Sequence, residues 1–306
     1  MNKVFPPVIR IEPASSCNLR CQHCPTGLDA SPKGLLSKDL FLKLLPEIHQ
    51  NISYISTVVL YHGGEPLLNP EIFFFINELK KIGIKKVKLV TNGKLLSEEI
   101  CSNLLNSNLD EIEISLDGLS TEDSNAIRRR SNAREIIEKV LRLNELKNQI
   151  ENSIRITIST TQFIDDYKID FKQISNAPVP FWLNEYKKLG INIKSNWAVQ
   201  WPGGYPKSSK VIYHDLNVEL PDKCSLLDET FTIRSNGDVV VCCYDLTSLK
   251  VIGNVSETTI SSIINSTEYL QFKNNFSNKI YSEPCKSCAV VTGKKYLGKS
   301  LLLDIV

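Results

Sequence analysis

The sequence predicts an α/β protein, a partial (β/α)6 TIM-like barrel followed by a small C-terminal domain. Six β-rich runs alternate with helical patterns from residue 8 to about residue 199 of the 306-residue chain, which is typical of βαβ units on a parallel sheet. Six strands are too few to close an eight-stranded barrel. We therefore expect an open barrel in residues 1–200, a linker or substrate-side loop in 201–222, and a second domain in 223–306.

Each predicted element has a pattern behind it. The predicted strands are residues 8–11, 57–61, 85–91, 111–116, 154–160 and 191–199, and the predicted helices are 38–49, 70–82, 97–106, 133–147 and a less clear segment, 181–189. Apolar residues at helical spacing support the helices, and Ser37 and Ser97 are at positions typical of N-caps. Further on, residues 230–234 and 239–243 flank Ser-Asn-Gly-Asp and predict a β-hairpin with Gly237 at positive φ. A short helix is expected at 259–264.

Composition limits the possible partners. The net charge of +2 gives no reason to expect nucleic acid or an anionic membrane. The apolar runs are too short to cross a bilayer, and the first twenty residues hold no signal-peptide core. We expect a cytoplasmic protein. Nine cysteines, an odd number without an export signal, indicate metal or redox chemistry rather than a disulfide framework.

Three of the cysteines directly follow the first predicted strand. Cys17, Cys21 and Cys24 have the spacing CxxxCxxC, and chemistry in parallel α/β folds collects at the carboxyl ends of strands. Three thiolates on one loop can hold three irons of a [4Fe–4S] cluster and leave the fourth iron open to an outside ligand. The alternatives are a structural zinc knot and chance spacing.

The segment Cys-Asn-Leu-Arg-Cys-Gln-His-Cys resembles the cluster loop of the radical S-adenosylmethionine (SAM) superfamily, and the resemblance extends over most of the chain. It implies that the open iron binds the amino and carboxylate groups of SAM. One-electron reduction then gives methionine and a 5′-deoxyadenosyl radical, which takes a hydrogen atom from the substrate. The resemblance also implies a reducing partner such as flavodoxin or ferredoxin.

Motifs at later strand ends are similar to stretches that line the SAM site in this family. Gly63-Gly64-Glu65-Pro66 is similar to the GGEP motif, and Thr91-Asn92-Gly93 and Ser115-Leu116-Asp117-Gly118 follow the next two strands. The glycines would let the backbone approach the ligand. Arg128 is a candidate clamp for the SAM carboxylate, although Ser131-Asn132 stands where the family often has a glycine. The SAM-binding residues expected from the resemblance are Gly63, Gly64, Glu65, Pro66, Asn92, Ser115, Asp117 and Arg128. Taken alone, each motif is also an ordinary turn sequence, and Arg128 could belong to a solvated basic turn.

The C-terminal cysteines resemble the SPASM/twitch class of the same superfamily. Twelve residues separate Cys224 from Gly237, four separate Gly237 from Cys242, and the pair Cys285/Cys288 comes later. No cysteine follows Cys288, so the resemblance implies one fully coordinated auxiliary [4Fe–4S] cluster in an iron–sulfur (twitch/SPASM-like) domain. Its task would be electron transfer or structural support. A zinc ribbon is the alternative.

Three further side chains are expected to have structural rather than ligand-binding roles. Neighbouring strand residues point to opposite faces, so Cys242 and Cys243 cannot easily serve one cluster. The resemblance, through the spacing from Gly237, implies that Cys242 is the ligand and that Cys243 packs; the reverse assignment, with Cys243 as the ligand, stays open. Cys101 is expected to be a small buried hydrophobe, and His62 a wall residue.

These features predict an oxidoreductase that oxidises or epimerises a small polar molecule such as a sugar or an aminocyclitol. The alternatives are a peptide-modifying maturase and a non-catalytic metal-binding protein. Only sixteen residues precede Cys17, so no N-terminal peptide-recognition domain is expected. The expected substrate walls are Thr160, Asn196, Trp197, Gln200 and Trp201, and the candidate bases, without geometry, are Arg155, Asp165, Asp166 and Glu185.

Overall fold

One mixed sheet of nine strands organises the protein. The computed structural model describes residues 5–28, 33–165, 176–206, 219–293 and 296–299. The strands are β1 (Val8–Ile11), β2 (Thr57–Leu60), β3 (Lys86–Thr91), β4 (Glu111–Ser115), β5 (Arg155–Gln162), β6 (Asn192–Trp197), β7 (Thr230–Ile233), β8 (Asp238–Val240) and β9 (Val251–Asn254). Their order across the sheet is β6-β5-β4-β3-β2-β1-β7-β8-β9.

Helices connect the parallel strands. They are α1 (Pro25–Leu28), α2 (Lys38–Gln50), α3 (Ile72–Lys81), α4 (Glu98–Asn106), α5 (Thr121–Ile127), α6 (Ala133–Gln149), α7 (Phe181–Asn184), α8 (Ser225–Asp228), α9 (Ile260–Ile264) and α10 (Thr267–Ser277). Short 3-10 turns cover Pro66–Leu68, Glu185–Leu189 and Cys285–Ser287. No helix in the described ranges is long and apolar enough to cross a membrane.

The predicted fold class is confirmed. Strands β1 to β6 are all parallel and pair with their neighbours in order, so they form an open barrel of six strands. The side chains of Ser37 and Ser97 accept hydrogen bonds from Leu40 N and Ile100 N, each at 3.2 Å, and act as the expected N-caps. The core between sheet and helices is built on side chains with no more than 1% exposure, including Phe41 and Phe75. Burial of each contributes about 1.5–3 kcal/mol.

The C-terminal region does not start a new sheet. Strand β7 pairs in parallel with β1, with Val8 opposite Thr230, and the antiparallel pair β7–β8 is the predicted hairpin. Gly237 has the expected positive φ of 89°. The barrel sheet therefore continues into the C-terminal region, where strand β9 and helix α10 were not predicted. Of residues 201–222, only 201–206 and 219–222 are described, and Trp201 N donates to Tyr205 O at 2.8 Å in a tight turn.

Candidate active site

A cavity of about 300 Å³ lies at the carboxyl ends of the barrel strands. Cys17, Cys21 and Cys24 line it together, as the sequence predicts. The predicted SAM-binding residues that also line it are Gly63, Gly64, Glu65, Asn92, Ser115, Asp117 and Arg128. Pro66 does not; it opens the 3-10 turn Pro66–Leu68 and is buried there.

The three-cysteine loop is held by its neighbours on both sides. The Sγ atom of Cys17 accepts Leu19 N at 3.5 Å, and Asn92 Nδ2 donates to Asn18 Oδ1 at 2.7 Å. On the other side, Arg20 N donates to Arg129 O at 3.2 Å. Burial raises the pKa of the Cys21 thiol to about 12. Iron must therefore displace a proton to bind this thiol as thiolate.

Glu65 joins the ends of strands β2 and β3. It is 1% exposed, and its carboxylate accepts Thr91 Oγ1 at 2.7 Å, Asn92 N at 2.7 Å and Leu67 N at 3.1 Å. Burial raises the pKa of this carboxyl, and the hydrogen bonds only partly offset the effect. The observed role of Glu65 is thus to position Asn92, while a contact with the SAM amino group stays a prediction.

Gly64 makes a close backbone contact with the protein itself. A Cβ atom there would lie 2.0 Å from Ala14 O and 2.4 Å from Ser16 O. Glu65 N also donates to Ser16 O at 2.8 Å. This glycine therefore lets the chain leaving strand β2 pass directly against the segment that leads into the cluster loop, while its approach to a ligand stays a prediction.

Asp117 and Arg128 form a buried ion pair in the cavity wall. Arg128 NH1 donates to Asp117 Oδ2 at 2.8 Å, and Asp117 and Arg128 are 1% and 7% exposed. Burial would raise the pKa of Asp117, but the charges of Arg128 and His23 lower it overall. The Nε atom of Arg128 is buried without a hydrogen-bond partner. A donor of this kind beside three cysteines fits a bound carboxylate and rules out a freely solvated arginine.

Glu12 links the barrel to the C-terminal region. This residue follows β1, is 0% exposed and accepts hydrogen bonds from Gly63 N at 3.0 Å and Ser235 N at 3.1 Å. Its other contacts are with Arg234 Nε at 3.3 Å and His62 Nδ1 at 3.4 Å. Burial acts to raise the Glu12 pKa, but the hydrogen bonds and charges of His62, Arg234 and Ser235 lower it to about 2. The network ties the turn between β7 and β8 to the end of β2.

Four C-terminal thiols approach one another. Cys224 and Cys288 both act on Cys285, whose pKa rises to about 12 mainly through burial and then through these two charges. A hydrogen bond with Cys243 and burial raise the pKa of Cys242, and the charge of Cys288 adds to the effect; the Cys242 Sγ accepts Tyr244 N at 3.4 Å. Four thiols of this kind can hold a fully coordinated cluster. Among the described residues, no three His, Cys, Asp or Glu side chains are arranged to hold a single metal ion.

Cys243 is buried in the apolar core, as expected, but the expected reason does not hold. Strand β8 ends at Val240, so Cys242 and Cys243 lie in a turn and the alternation of strand faces does not apply to them. Cys243 lines the cavity of the three-cysteine loop. Cys101 is buried in α4 as expected, and His62 is 1% exposed in the cavity wall.

The expected substrate walls are only partly found. Asn196 and Trp201 line the cavity. Thr160 is 0% exposed and accepts Gln162 Nε2 at 2.7 Å; Ser159 and Thr161 line the cavity instead, because alternate residues of a strand face opposite sides. Trp197 packs edge-on against Tyr296, and Gln200 is buried at 6% exposure.

None of the candidate bases in the described ranges reaches the cavity. Arg155 is exposed at the amino end of β5, and Asp165 and Glu185 are also exposed. Asp166 lies outside the described residues.

Several polar residues of the cavity were missed. They are Arg10, His23, Tyr61, Glu113, Lys194 and Tyr244. Glu113 Oε2 accepts Lys88 Nζ at 2.5 Å and lies 4.0 Å from Lys194 Nζ. A charged residue between two apolar ones on a buried strand, as in Ile-Glu-Ile at 112–114, was the available signal.

Comparisons with known proteins agree with this site. A model of the radical SAM superfamily matches residues 11–174, and a model of the SPASM iron–sulfur cluster-binding domain matches residues 224–289. The chain belongs to the radical SAM superfamily. It is a radical SAM enzyme with a SPASM domain, and these domains indicate [4Fe–4S] clusters and SAM as cofactors.

Relatives differ in what they do. The chain is 24% identical, over 92% of its length and 86% of the relative, to a tungsten-containing aldehyde ferredoxin oxidoreductase cofactor-modifying protein from Pyrococcus furiosus. It is 32% identical over 60% of its length to a GTP 3′,8-cyclase from Aquifex aeolicus, of which it spans only 57%.

Two solved structures share the fold. BtrN in complex with AdoMet and 2-DOIA is 16% identical, with a TM-score of 0.59 and 94% of both chains covered. SuiB from Streptococcus suis bound to S-adenosylmethionine is 15% identical, with a TM-score of 0.59, and the match covers 98% of this chain and 77% of SuiB.

Proposed function

We propose that this protein is a radical SAM oxidoreductase that removes a hydrogen atom from a carbon of a small polar molecule, such as a sugar or an aminocyclitol. The observation that carries the proposal is the single cavity that the three-cysteine loop shares with Glu113, Lys194 and Asn196. Charged and amide groups in a concave site suit a substrate with hydroxyl or amino groups. BtrN, whose complex contains 2-DOIA, supports a small substrate through likeness along 94% of both chains.

Cys17, Cys21 and Cys24 would hold the first cluster, and Cys224, Cys242, Cys285 and Cys288 an auxiliary cluster that relays electrons. When bound, the first cluster and SAM supply a 5′-deoxyadenosyl radical. Arg128 Nε is available to the SAM carboxylate, and Glu65 holds Asn92 against the loop. Trp201 and Tyr244, in edge-to-face contact with centroids 5.2 Å apart, line the cavity and would limit the access of water from the C-terminal side. The electron donor would be of the flavodoxin or ferredoxin class, and the setting cytoplasmic.

The first test measures iron and SAM cleavage. Anaerobically reconstituted protein is expected to hold about eight irons per chain and to form 5′-deoxyadenosine with dithionite. The Cys21→Ala variant should lose this cleavage. Cys285→Ala with Cys288→Ala should still form 5′-deoxyadenosine but no oxidised product. Cys101→Ala is the matched control and should behave as the wild type.

The substrate is identified by isotope transfer. Candidate sugars and aminocyclitols, 2-DOIA among them, are supplied with deuterium on carbon, and the mass of 5′-deoxyadenosine is measured. Deuterium transfer from one of them supports the proposal. Transfer from peptides alone would establish a peptide maturase instead, the alternative favoured by the likeness to SuiB bound to precursor peptide SuiA. Zinc in place of iron, without SAM cleavage, would mean a non-catalytic metal-binding protein.

A further inference from the structure

The two arginines that follow Arg128 lie outside the cavity. Arg128 is 7% exposed and pairs with Asp117 in the cavity wall, with NH1 2.8 Å from Asp117 Oδ2. Arg129 and Arg130, by contrast, are exposed and do not line the cavity. The three consecutive arginines are therefore divided between the inner and the outer face of one wall, and the proposed SAM site uses only the first of them.

The segment that carries the two exposed arginines is fastened to the three-cysteine loop. Arg20 N donates to Arg129 O at 3.2 Å, and Gln22 N donates to Ile127 O at 3.0 Å. Arg20 and Gln22 are the residues on either side of Cys21. The exposed arginines therefore border the loop that would hold the first cluster.

Two further basic side chains extend this surface. Arg20 is exposed, and its NH1 donates to Cys17 O at 3.2 Å. Lys94 is also exposed, and its Nζ donates to Arg130 O at 2.6 Å. These contacts are with backbone carbonyl groups, so they do not neutralise the positive charges. We call Arg20, Lys94, Arg129 and Arg130 the basic patch.

The basic patch forms no ion pair with any other residue that the structure describes. By contrast, the next basic residues along the chain are neutralised in pairs: Arg134 lies 3.2 Å from Glu122, and Lys139 lies 2.9 Å from Glu135. The whole chain has a net charge of only +2. The patch is therefore a local concentration of positive charge, which attracts and orients a partner of opposite charge.

The size of the basic patch limits the kind of partner. Strong nucleic-acid binding draws on about 6–10 phosphate contacts, which is more than four cations can neutralise. Electron-transfer complexes are weak and bury less than about 1,200 Å² in total. A small basic surface that borders the loop for a redox centre fits a partner of the second kind.

We propose that the basic patch docks a small acidic electron-carrier protein, which reduces the first cluster. The carrier loses one electron, the cluster gains it, and the carrier leaves in its oxidised form. Docking at the patch gives this electron a short path, because the patch borders the cluster loop. The inference rests on the proposed function, in which the donor is of the flavodoxin or ferredoxin class, and adds the surface at which that donor binds.

The first experiment reverses the charge of the patch in the reconstituted holoenzyme. Arg129→Glu is combined with Arg130→Asp, because Arg130 has a left-handed φ of 71°, which aspartate tolerates. Formation of 5′-deoxyadenosine is driven either by reduced flavodoxin, an acidic carrier, or by reduced methyl viologen, a small cation. At low ionic strength the variant should lose about ten-fold or more in rate with flavodoxin. It should retain both its iron and its rate with methyl viologen.

The matched control is Lys187→Glu with Lys188→Asp, because both lysines are exposed in a 3-10 turn and the change of charge is the same. This variant should keep the wild-type rate with both reductants. Arg129→Gln with Arg130→Asn, which only removes charge, should give a smaller loss confined to flavodoxin. Added salt should slow the wild type with flavodoxin towards the rate of the charge-reversed variant.

Two results would overturn the inference. The charge-reversed variant could keep the full rate with flavodoxin and with an acidic ferredoxin, in which case the patch docks neither carrier. Alternatively, both patch variants could lose rate equally with flavodoxin and with methyl viologen, which would mean that the segment supports the cluster and not a carrier. The proposed function fails separately, through a wild type that forms no 5′-deoxyadenosine even with methyl viologen.

Discussion

The carboxylate of Glu65 accepts a hydrogen bond from the hydroxyl group of Thr91 at 2.7 Å. Glu65 follows strand β2, and Thr91 ends the neighbouring parallel strand β3. The second carboxylate oxygen accepts Asn92 N at 2.7 Å, and the Asn92 side chain reaches Asn18 in the cluster loop. A chain of three short contacts therefore transmits the position of the GGEP segment to the three-cysteine loop.

Replacement of Glu65 by glutamine should disturb this chain. The amide group of the new side chain would place an N–H donor opposite Asn92 N or Thr91 Oγ1, and an unsatisfied buried donor costs about 1–3 kcal/mol. We expect Glu65→Gln to lower the melting temperature and to weaken SAM binding about ten-fold, measured by equilibrium dialysis. Glu98→Gln is the control, because Glu98 makes an exposed pair with Arg142 at 2.6 Å, and water screens such a pair. Equal effects of the two substitutions would contradict the positioning role.

A methyl group at Gly64 should be far more harmful than one at Gly34. The added Cβ at Gly64 would lie 2.0 Å from Ala14 O, whereas nothing lies within 4 Å at Gly34. Overpacking against backbone cannot be relieved by a rotamer change, so we expect Gly64→Ala to lower the free energy of unfolding by about 3 kcal/mol and to reduce iron loading. Gly34→Ala should retain both. Chemical denaturation and iron analysis compare the two variants, and a stable, fully loaded Gly64→Ala would show that the contact can relax.

Iron loading should strengthen as pH rises. Burial raises the pKa of Cys21 and of Cys285 to about 12 in each case, so both thiols are protonated at neutral pH in the iron-free protein. Iron binds thiolates, and each such ligand must release its proton on binding. We expect loading at limiting iron and sulfide to be greater at pH 8.5 than at pH 6.5, with protons released to a weak buffer.

The control for this prediction is a buried thiol outside both sets. Burial raises the pKa of Cys101 to about 11, yet Cys101→Ala should leave iron content and proton release unchanged. Cys21→Ala should reduce both. Loading that is independent of pH would mean that the thiols are already deprotonated.

The alternation of strands and helices could be predicted because buried parallel strands are short apolar runs with long amphipathic helices between them. The six predicted barrel strands differ from the observed ones by no more than two residues at each end, whereas the second hairpin strand, predicted at 239–243, already ends at Val240. The parallel pairing of β7 with β1 could not be predicted, since it joins residues more than 200 positions apart and only the barrel's open edge makes it available.

Only part of the cavity lining could be predicted from the sequence. The cysteine spacing and the strand-end motifs identified the loop, but Glu113 and Lys194 meet across β4 and β6, which are not neighbours in the sheet. Their proximity depends on strand register and barrel curvature, which a single sequence does not contain. Thr160 was predicted to line the cavity, but its neighbours Ser159 and Thr161 line it instead. The prediction is off by one residue, and a shift of one residue moves a side chain to the other face of the strand.

The buried ion pair of Asp117 and Arg128 can be compared directly with an exposed ion pair of the same protein. Asp117→Asn removes the carboxylate that accepts Arg128 NH1 at 2.8 Å and leaves a buried guanidinium without its counter-charge. Breaking a buried pair in this way costs about 3–5 kcal/mol, and we expect weaker SAM binding besides, because Arg128 is no longer held in the cavity wall. The matched control is Glu122→Gln in α5, whose pair with Arg134 at 3.2 Å is 71% and 75% exposed and is screened by water. Urea denaturation of the holoenzyme and dialysis with SAM measure both variants. Similar losses from the two substitutions would mean that the cavity is wet enough to solvate Arg128, and that its guanidinium does not depend on Asp117 for its position.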